Sequence, residues 1–440
     1  MVKEQLAWYE AQIVKDLMAN MGGKALRGIM TNIFSARIYL GKLAFFQVSN
    51  LLAANLKESE RRALIIVDDF TQKFTTKVET YLKMKDFNIR IWAGAKPEAP
   101  LPTIEKAAKI CEEFKPMVIC AIGGGSVMDT AKMVIIKYEK PNENLFMILP
   151  FFNSLGLRTK FKYFITIPTT SGTGSEVTQA AVATDVEKEP PKKLEIINDE
   201  IVSDITILDT DFVKDMPPFL TMATGLDAFS HALGSYVSSW GSPYIDAMNY
   251  TAIKEVLKYL PRAYKYGTKD IEARSHMQMA ATMAGVGFGN TIAGIDHALG
   301  HSFGKVFNVH HGLSVGLFAP YSLAFQYKVT DRWKELLPLF DIKEGNKSRV
   351  ELFDEFIMSV KNFIESVNGV VNVRDLKNPK IEKDDYMDKL DLMVEYANND
   401  AITLTSYRPI DKPLYKKLFQ YAWDGKKLRM IYSKMRIIKN

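Results

Sequence analysis

Cysteine is almost absent: Cys111 and Cys120 are the only two in 440 residues. That excludes a disulfide framework and a thiolate metal cluster, and it fits a reducing compartment, the cytoplasm. Histidine is scarce as well, at six residues. The longest apolar patch, NLFMILPFFNSLGL, is too short to span a bilayer and is broken by Pro150 and Asn153. The N-terminal MVKEQLAWYEAQIVKDLMANMGG carries acids throughout and lacks the apolar core of a signal peptide. Neither sign of charge dominates: the formal net charge is +6, with basic residues interspersed among acidic ones. Such a balance gives no footprint for nucleic acid, although a small anionic ligand would be favoured.

With 47% hydrophobic and 25% charged residues, the chain reads as globular, and it is long enough for two domains. Leu6, Tyr9, Ile13, Leu17 and Met18 stand near helical spacing, so residues 1–32 are predicted to form a helical extension. From 33 to 215 the continuous apolar runs Ala63–Val67, Ile89–Ala93 and Met117–Ile122 alternate with helical patterns at Phe74–Met84 and Ile104–Phe114. Runs of that kind mark strands covered on both faces, and their alternation with helices predicts a parallel α/β domain. ITIPTTSGTGSEV and DITILD supply further strands; from 216 to 440 strand-like runs give way to long Ala-, Leu-, Met- and Lys-rich segments, a helical domain. The charge-dense stretch Val373–Asp391 reads as a solvated loop and helix face.

Gly123-Gly124-Gly125-Ser126 directly follows a predicted strand and precedes a helix. Glycines admit close backbone approach, and the free amides of the next helix attract phosphate. It is neither the G-x-G-x-x-G fingerprint nor a Walker loop, and Lys132 lies too far into the helix for the latter. Ser126 and Asp129 stand in capping-box spacing, as do Thr173 and Glu176 in a second polar loop, Thr169–Glu176. That second loop suits either hydrogen bonding to a ligand or ordinary turn chemistry. Asp68, at a strand end, is either a ribose-binding acid or a surface turn residue.

Four of the six histidines, His297, His301, His310 and His311, fall between Gly294 and Gly312. The bland explanation is chance clustering. Asp227 and His231, however, stand four apart in a helix-compatible segment, and His297 and His301 repeat that spacing. Residues at i and i+4 share a helix face, so each pair could hold one ion. Carboxylate plus imidazoles without thiolate suits ferrous iron or zinc, and an open position would make a Lewis acid.

The combination G-G-G-S-x-x-D-x-A-K, P-T-T-x-G-T-x-x-E-V-T, T-G-x-D-A-x-x-H-A and H-x-x-x-H-x-x-G-x-x-x-x-x-x-H-G resembles the iron-containing (group III) alcohol dehydrogenases, from about Ile38 to Trp423. The resemblance implies a Rossmann-like α/β domain followed by an all-helical domain, the architecture shared with dehydroquinate synthase. It implies metal ligands at Asp227, His231, His297 and His311, with His301 as a neighbouring active-site histidine and candidate proton relay. It implies cofactor contacts at Gly124, Gly125, Ser126, Thr169, Thr170, Thr173 and Lys193, with Phe288 near the nicotinamide and Asp68 favouring NAD over NADP. The expected cofactors are thus NAD, with NADP as the alternative, and a divalent metal, iron before zinc. The expected substrate is a small alcohol or aldehyde, and the expected assembly a homodimer. Gly234 departs from the pattern where an acid is common, a short insertion falls at Glu189–Lys192, and His310 is expected to be structural. The rival readings are a dehydroquinate synthase-like lyase or cyclase and a non-catalytic nucleotide-binding protein.

Overall fold

The computed structural model describes residues 7–16, 35–148, 154–189, 192–238, 240–291 and 293–435. Leu6, Leu17, Met18, Pro150 and Asn153 lie outside these residues; Tyr9 is buried and Ile13 exposed. The chain divides into two compact units, and residues 9–16 go with the second of them.

In the first unit the apolar runs become strands of a parallel sheet. Its strands are β1 (Arg37–Leu40), β2 (Arg62–Ile66), β3 (Asn88–Trp92), β4 (Val118–Gly123), β5 (Tyr163–Pro168) and β8 (Ile205–Leu208), ordered β1-β8-β5-β4-β2-β3. The intervening β6 (Ala180–Asp185) and β7 (Lys192–Ile197) form a separate antiparallel pair. Helices α1 (Ala44–Asn55), α2 (Thr75–Lys83), α3 (Leu101–Phe114) and α4 (Gly125–Glu139) connect the strands. β4 and β8 are buried at every position, as strands covered on both faces must be. β1 is largely exposed, because it forms the sheet edge. Its four residues, Arg-Ile-Tyr-Leu, carry neither a continuous apolar run nor a strict alternation, so no strand is predicted there.

The sheet order contains a switch. From β2 the chain moves outward to β3, then crosses back so that β4 pairs with the other side of β2. Loops leaving the carboxyl ends of β2 and β4 therefore diverge, which opens a crevice of the kind where α/β sheets bind ligands. Register puts Ile66 opposite Ala121 and Gly123 opposite Pro168, so the loops after β2, β4 and β5 start side by side.

The second unit is helical. Its main elements are α5 (Pro218–Val237), α6 (Pro243–Tyr266), α7 (Ile271–Gly289), α8 (Ile295–Phe307), α9 (His311–Gln326) and α10 (Arg349–Ser366), followed by shorter helices up to Lys434. α5 is buried at every position from Thr221 to Val237. Its sequence explains this: PFLTMATGLDAFSHALGSYV is apolar or small nearly all round, the pattern of a helix enclosed on all sides. Asp227 and His231 are the exceptions, and a buried charge demands partners.

Ile119, fully buried in central strand β4, makes a test of the sheet core. Ile119→Ala is expected to lower unfolding free energy by about 2–5 kcal/mol in chemical denaturation. A loss well under ~1 kcal/mol would contradict the close packing.

Candidate metal centre and nucleotide loops

Three helices of the second unit converge on one carboxylate oxygen. Asp227 Oδ1, on α5, lies 3.2 Å from His311 Nε2, at the start of α9. It lies 3.7 Å from His231 Nε2, one turn along α5, and 3.7 Å from His297 Nε2, on α8. Donor atoms of Asp227, His297 and His311 all fall within 4.8 Å of one another. Asp227 Oδ1 and His297 Nε2 are buried with no hydrogen-bond partner among the described residues. Since buried polar atoms are normally paired, this donor set fits a divalent cation at its centre. Asp227, His231 and His297 are buried, whereas the His311 side chain is 42% exposed, leaving one side of the cluster open.

Electrostatics agree with the geometry. Burial opposes ionisation of Asp227, but the imidazoles of His231, His311 and His297 hold its carboxyl well below the usual range. Burial likewise would lower His297, yet the Asp296 and Asp227 carboxylates outweigh it and push His297 up to about 10.

Glycines bring the helices this close. A Cβ on Gly312 would lie 2.1 Å from the Ala223 carbonyl oxygen, so only glycine lets α9 begin against α5. A Cβ on Gly234 would lie 2.6 Å from the Gly294 nitrogen, just before α8. The acid common at that position has no room, which accounts for the departure noted in the sequence.

In the first unit, Gly124 caps α4, whose helix starts at Gly125. A Cβ on Gly124 would meet Thr170 at 3.4 Å and one on Gly125 would meet Thr173 at 3.1 Å, so the two loops run close together. Thr169 is buried, and its amide donates to the Gly123 carbonyl at 3.0 Å. Ser126 Oγ accepts from the Glu98 amide at 3.3 Å. After β2, Asp68 Oδ1 accepts from the Phe70 amide (3.0 Å), the Thr71 amide (2.7 Å) and Thr71 Oγ1 (2.8 Å). Its negative charge is thus pinned at the mouth of the switch-point crevice. Lys193 stands on β7 opposite Thr184, near enough to help oppose the burial that raises the Asp129 carboxyl.

Family models for the iron-containing alcohol dehydrogenases match residues 35–210, and for the C-terminal part of that family residues 221–423. The chain belongs to the iron-containing alcohol dehydrogenase family. It is 32% identical to an NADPH-dependent butanol dehydrogenase of Clostridium saccharobutylicum over 393 residues, covering 88% of this chain and 96% of that protein. It is 30% identical to an alcohol dehydrogenase of Thermococcus barophilus, covering 79% of this chain and 88% of that one. Among solved structures, the iron-containing alcohol dehydrogenase of Thermococcus thioreducens superposes with a TM-score of 0.77 at 28% identity, covering 89% and 99% of the two chains. The enzyme is a metal-dependent alcohol and aldehyde oxidoreductase.

Several features of this alcohol dehydrogenase differ from what residue spacing predicts. Neither capping box forms. α4 and the short turn at Ser175–Val177 are both capped by glycine without a side-chain bond. Asp129 instead accepts from Ser175 Oγ (2.8 Å) and the Val182 amide (3.2 Å), while Thr173 Oγ1 accepts from the Ser175 amide (3.3 Å). Phe288 stacks on His231 with ring centroids 3.9 Å apart and planes at 10°, so it backs a candidate ligand. His310 meets Phe219 edge-on. His301 Nδ1 lies 2.8 Å from Asp400 Oδ2, and its ring stacks on His311 at 5.1 Å.

Sequence reasoning passed over Lys132. Fully buried on α4, its ammonium donates to the Ala180 carbonyl (2.7 Å), the Thr178 carbonyl (2.8 Å), Ser175 Oγ (3.1 Å) and Thr178 Oγ1 (3.2 Å). It ties the helix behind the glycine loop to the end of the threonine loop. The available signal was a charged residue inside an otherwise apolar helical run. Lys132→Met, which leaves these acceptors unmet, is expected to weaken NADH binding about tenfold in calorimetry while leaving metal affinity unchanged. Unaltered NADH binding would limit Lys132 to a structural tie between α4 and the segment 175–180.

Proposed function

We propose that Asp227, His231, His297 and His311 hold one divalent ion, iron with zinc as the alternative, and that NAD is the preferred nicotinamide cofactor. The supporting observation is the convergence of imidazole nitrogens on Asp227 Oδ1, with buried unpartnered atoms on both sides of the gap. Bound there, such an ion supplies Lewis acidity that lowers the pKa of an alcohol hydroxyl or polarises an aldehyde carbonyl.

The chain's own residues do the rest. Gly124, Gly125 and Ser126 offer backbone amides and the positive end of α4 to a pyrophosphate. Thr169, Thr170 and Thr173 border that loop, and Lys193 stands on the neighbouring strand pair. Asp68 presents fixed negative charge where a ribose 2′-phosphate would otherwise fit, and so disfavours NADP. Phe288 braces His231 by stacking. His301, whose Nδ1 lies 2.8 Å from Asp400 Oδ2, is the group proposed to move a proton to or from the substrate oxygen. A nicotinamide held by these loops would supply hydride transfer, and the chain's own residues would contribute orientation and charge stabilisation. Buried thiols at Cys111 and Cys120, the former pushed up to about 12 by burial, accord with a cytoplasmic enzyme; a homodimer is the proposed assembly.

The deciding experiment is reconstitution with iron or zinc, followed by NADH and NADPH oxidation across short aldehydes. Turnover that needs the metal is the expected result. Absence of turnover with every aldehyde and both cofactors would refute the reading. Asp68→Gly should raise the NADPH-to-NADH ratio of kcat/KM by about ten- to a hundredfold, since it removes a like-charge clash; an unchanged ratio would remove Asp68 as the selector. His301→Ala should lower kcat by about a hundredfold or more and change its pH profile. Metal uptake must displace the proton held on His297, so apparent metal affinity should rise with pH below about 10. Chelator competition at two pH values measures this, and a pH-independent affinity would contradict it.

A further inference from the structure

Behind His297 stands a carboxylate that no motif singles out. Asp296 lies in the first turn of α8 and is buried. An acid there commonly serves the helix terminus, where exposed amides favour negative charge. In this chain the carboxylate turns elsewhere. Its Oδ2 lies 3.0 Å from His297 Nδ1, and that imidazole is its one side-chain hydrogen-bond partner among the described residues. Space for this turn is provided by the neighbouring glycine: a Cβ on Gly294 would lie 2.2 Å from Asp296 Oδ1 and 2.9 Å from Ser322 Oγ. The pocket for the carboxylate exists because residue 294 has no side chain.

We propose that Asp296 is a positioning residue for the metal centre: it holds His297 with Nδ1 protonated and Nε2 presented to the ion, and it supplies negative charge directly behind that ligand. This rests on the ligand set proposed above. Geometry supports the first part, because the other nitrogen, Nε2, is the one that faces Asp227 Oδ1, at 3.7 Å, and has no hydrogen-bond partner among the described residues. Charge balance supports the second. A divalent ion with Asp227 as its only anionic neighbour would leave a buried site with one excess positive charge. Burying net charge is costly, and Asp296 brings a further carboxylate to within one imidazole of the proposed ion. A carboxylate on the far nitrogen also makes an imidazole a stronger donor, and outer partners of this kind commonly change metal affinity 10- to 100-fold, by the general estimate of ~10–100.

The test uses the full-length protein and Zn(II) alone, titrated against a chromogenic chelator. Asn at 296 retains an oxygen that accepts from Nδ1–H but loses the charge; Ala loses both. Wild type is expected to bind tightly, D296N about tenfold or more weakly, and D296A weaker still, with thermal unfolding of the metal-free D296N close to that of wild type. A purely structural role would instead lower metal-free stability and leave zinc affinity where it was. D296N affinity within about twofold of a tightly binding wild type would overturn the role of Asp296 while leaving the ligand set intact. Failure of wild type to bind Zn(II) at all would overturn both. Should neither variant fold, 15N-histidine spectra of the zinc-loaded wild type still decide: His297 bound through Nε2 with a slowly exchanging Nδ1–H is expected, and binding through Nδ1 would overturn the proposal.

Discussion

A carboxylate buried to 1% exposure inside an apolar helix is the constraint around which the second unit is arranged. Burying an isolated charge is prohibitive, so Asp227 can sit on α5 only if other groups surround it. His231 comes from the same helix face one turn along, which costs no loop closure. His297 and His311 must be brought from elsewhere, and the two close approaches at Gly234 and Gly312 hold the starts of α8 and α9 against α5. Backbone contact at those distances leaves almost no freedom in the relative placement of the three helices. Preorganisation of this kind holds the candidate donor atoms close to one another within the folded chain.

The first unit solves an analogous problem with backbone. A parallel sheet exposes loop amides at its carboxyl edge, and the change of direction between β2 and β4 is where a ligand can reach them. What the loops need is mutual rigidity. The close approach of Gly124 and Gly125 to Thr170 and Thr173 accompanies it, and the Lys132 ammonium contributes by donating to carbonyls and a hydroxyl of the threonine-loop end. Burial lowers the Lys132 pKa to about 8, and the Asp129 and Glu176 carboxylates oppose that shift. Asp129 thereby does more than a helix cap would: it neutralises a buried cation and ties down Ser175 and Val182.

Legibility in the sequence followed the range of each interaction. Central strands were readable because burial on both faces leaves a continuous apolar run, as in β2 and β4. The i, i+4 spacing of Asp227 and His231 was readable because a helix converts spacing directly into a shared face. Edge strand β1 was not, since half of its surroundings are solvent and its composition carries no strong pattern. The β6–β7 pair was missed for a related reason: Ala-rich β6 has weak strand preference and is fixed by pairing with β7. Both capping boxes were misread because Asp129 and Thr173 have longer-range or tighter partners that outcompete the local bond. Asp296 and the Phe288 stack on His231 depend on tertiary placement, and one sequence carries no mark of it.

Gly234 shows how these scales interact. A departure from the family pattern first reads as a question about substrate or cofactor shape, because an acid has been lost close to a ligand histidine. In three dimensions the vacated volume is filled by the Gly294 backbone. Gly294 in turn lacks the Cβ that would exclude the Asp296 carboxylate from its place against His297. The acid missing from α5 and the acid present on α8 are therefore two sides of one arrangement: with no side chain at 234 the start of α8 closes in, and negative charge near the histidines comes from the first turn of that helix. A single-position reading of Gly234 sees only a missing acid, whereas the packing places a carboxylate on the neighbouring helix, against His297.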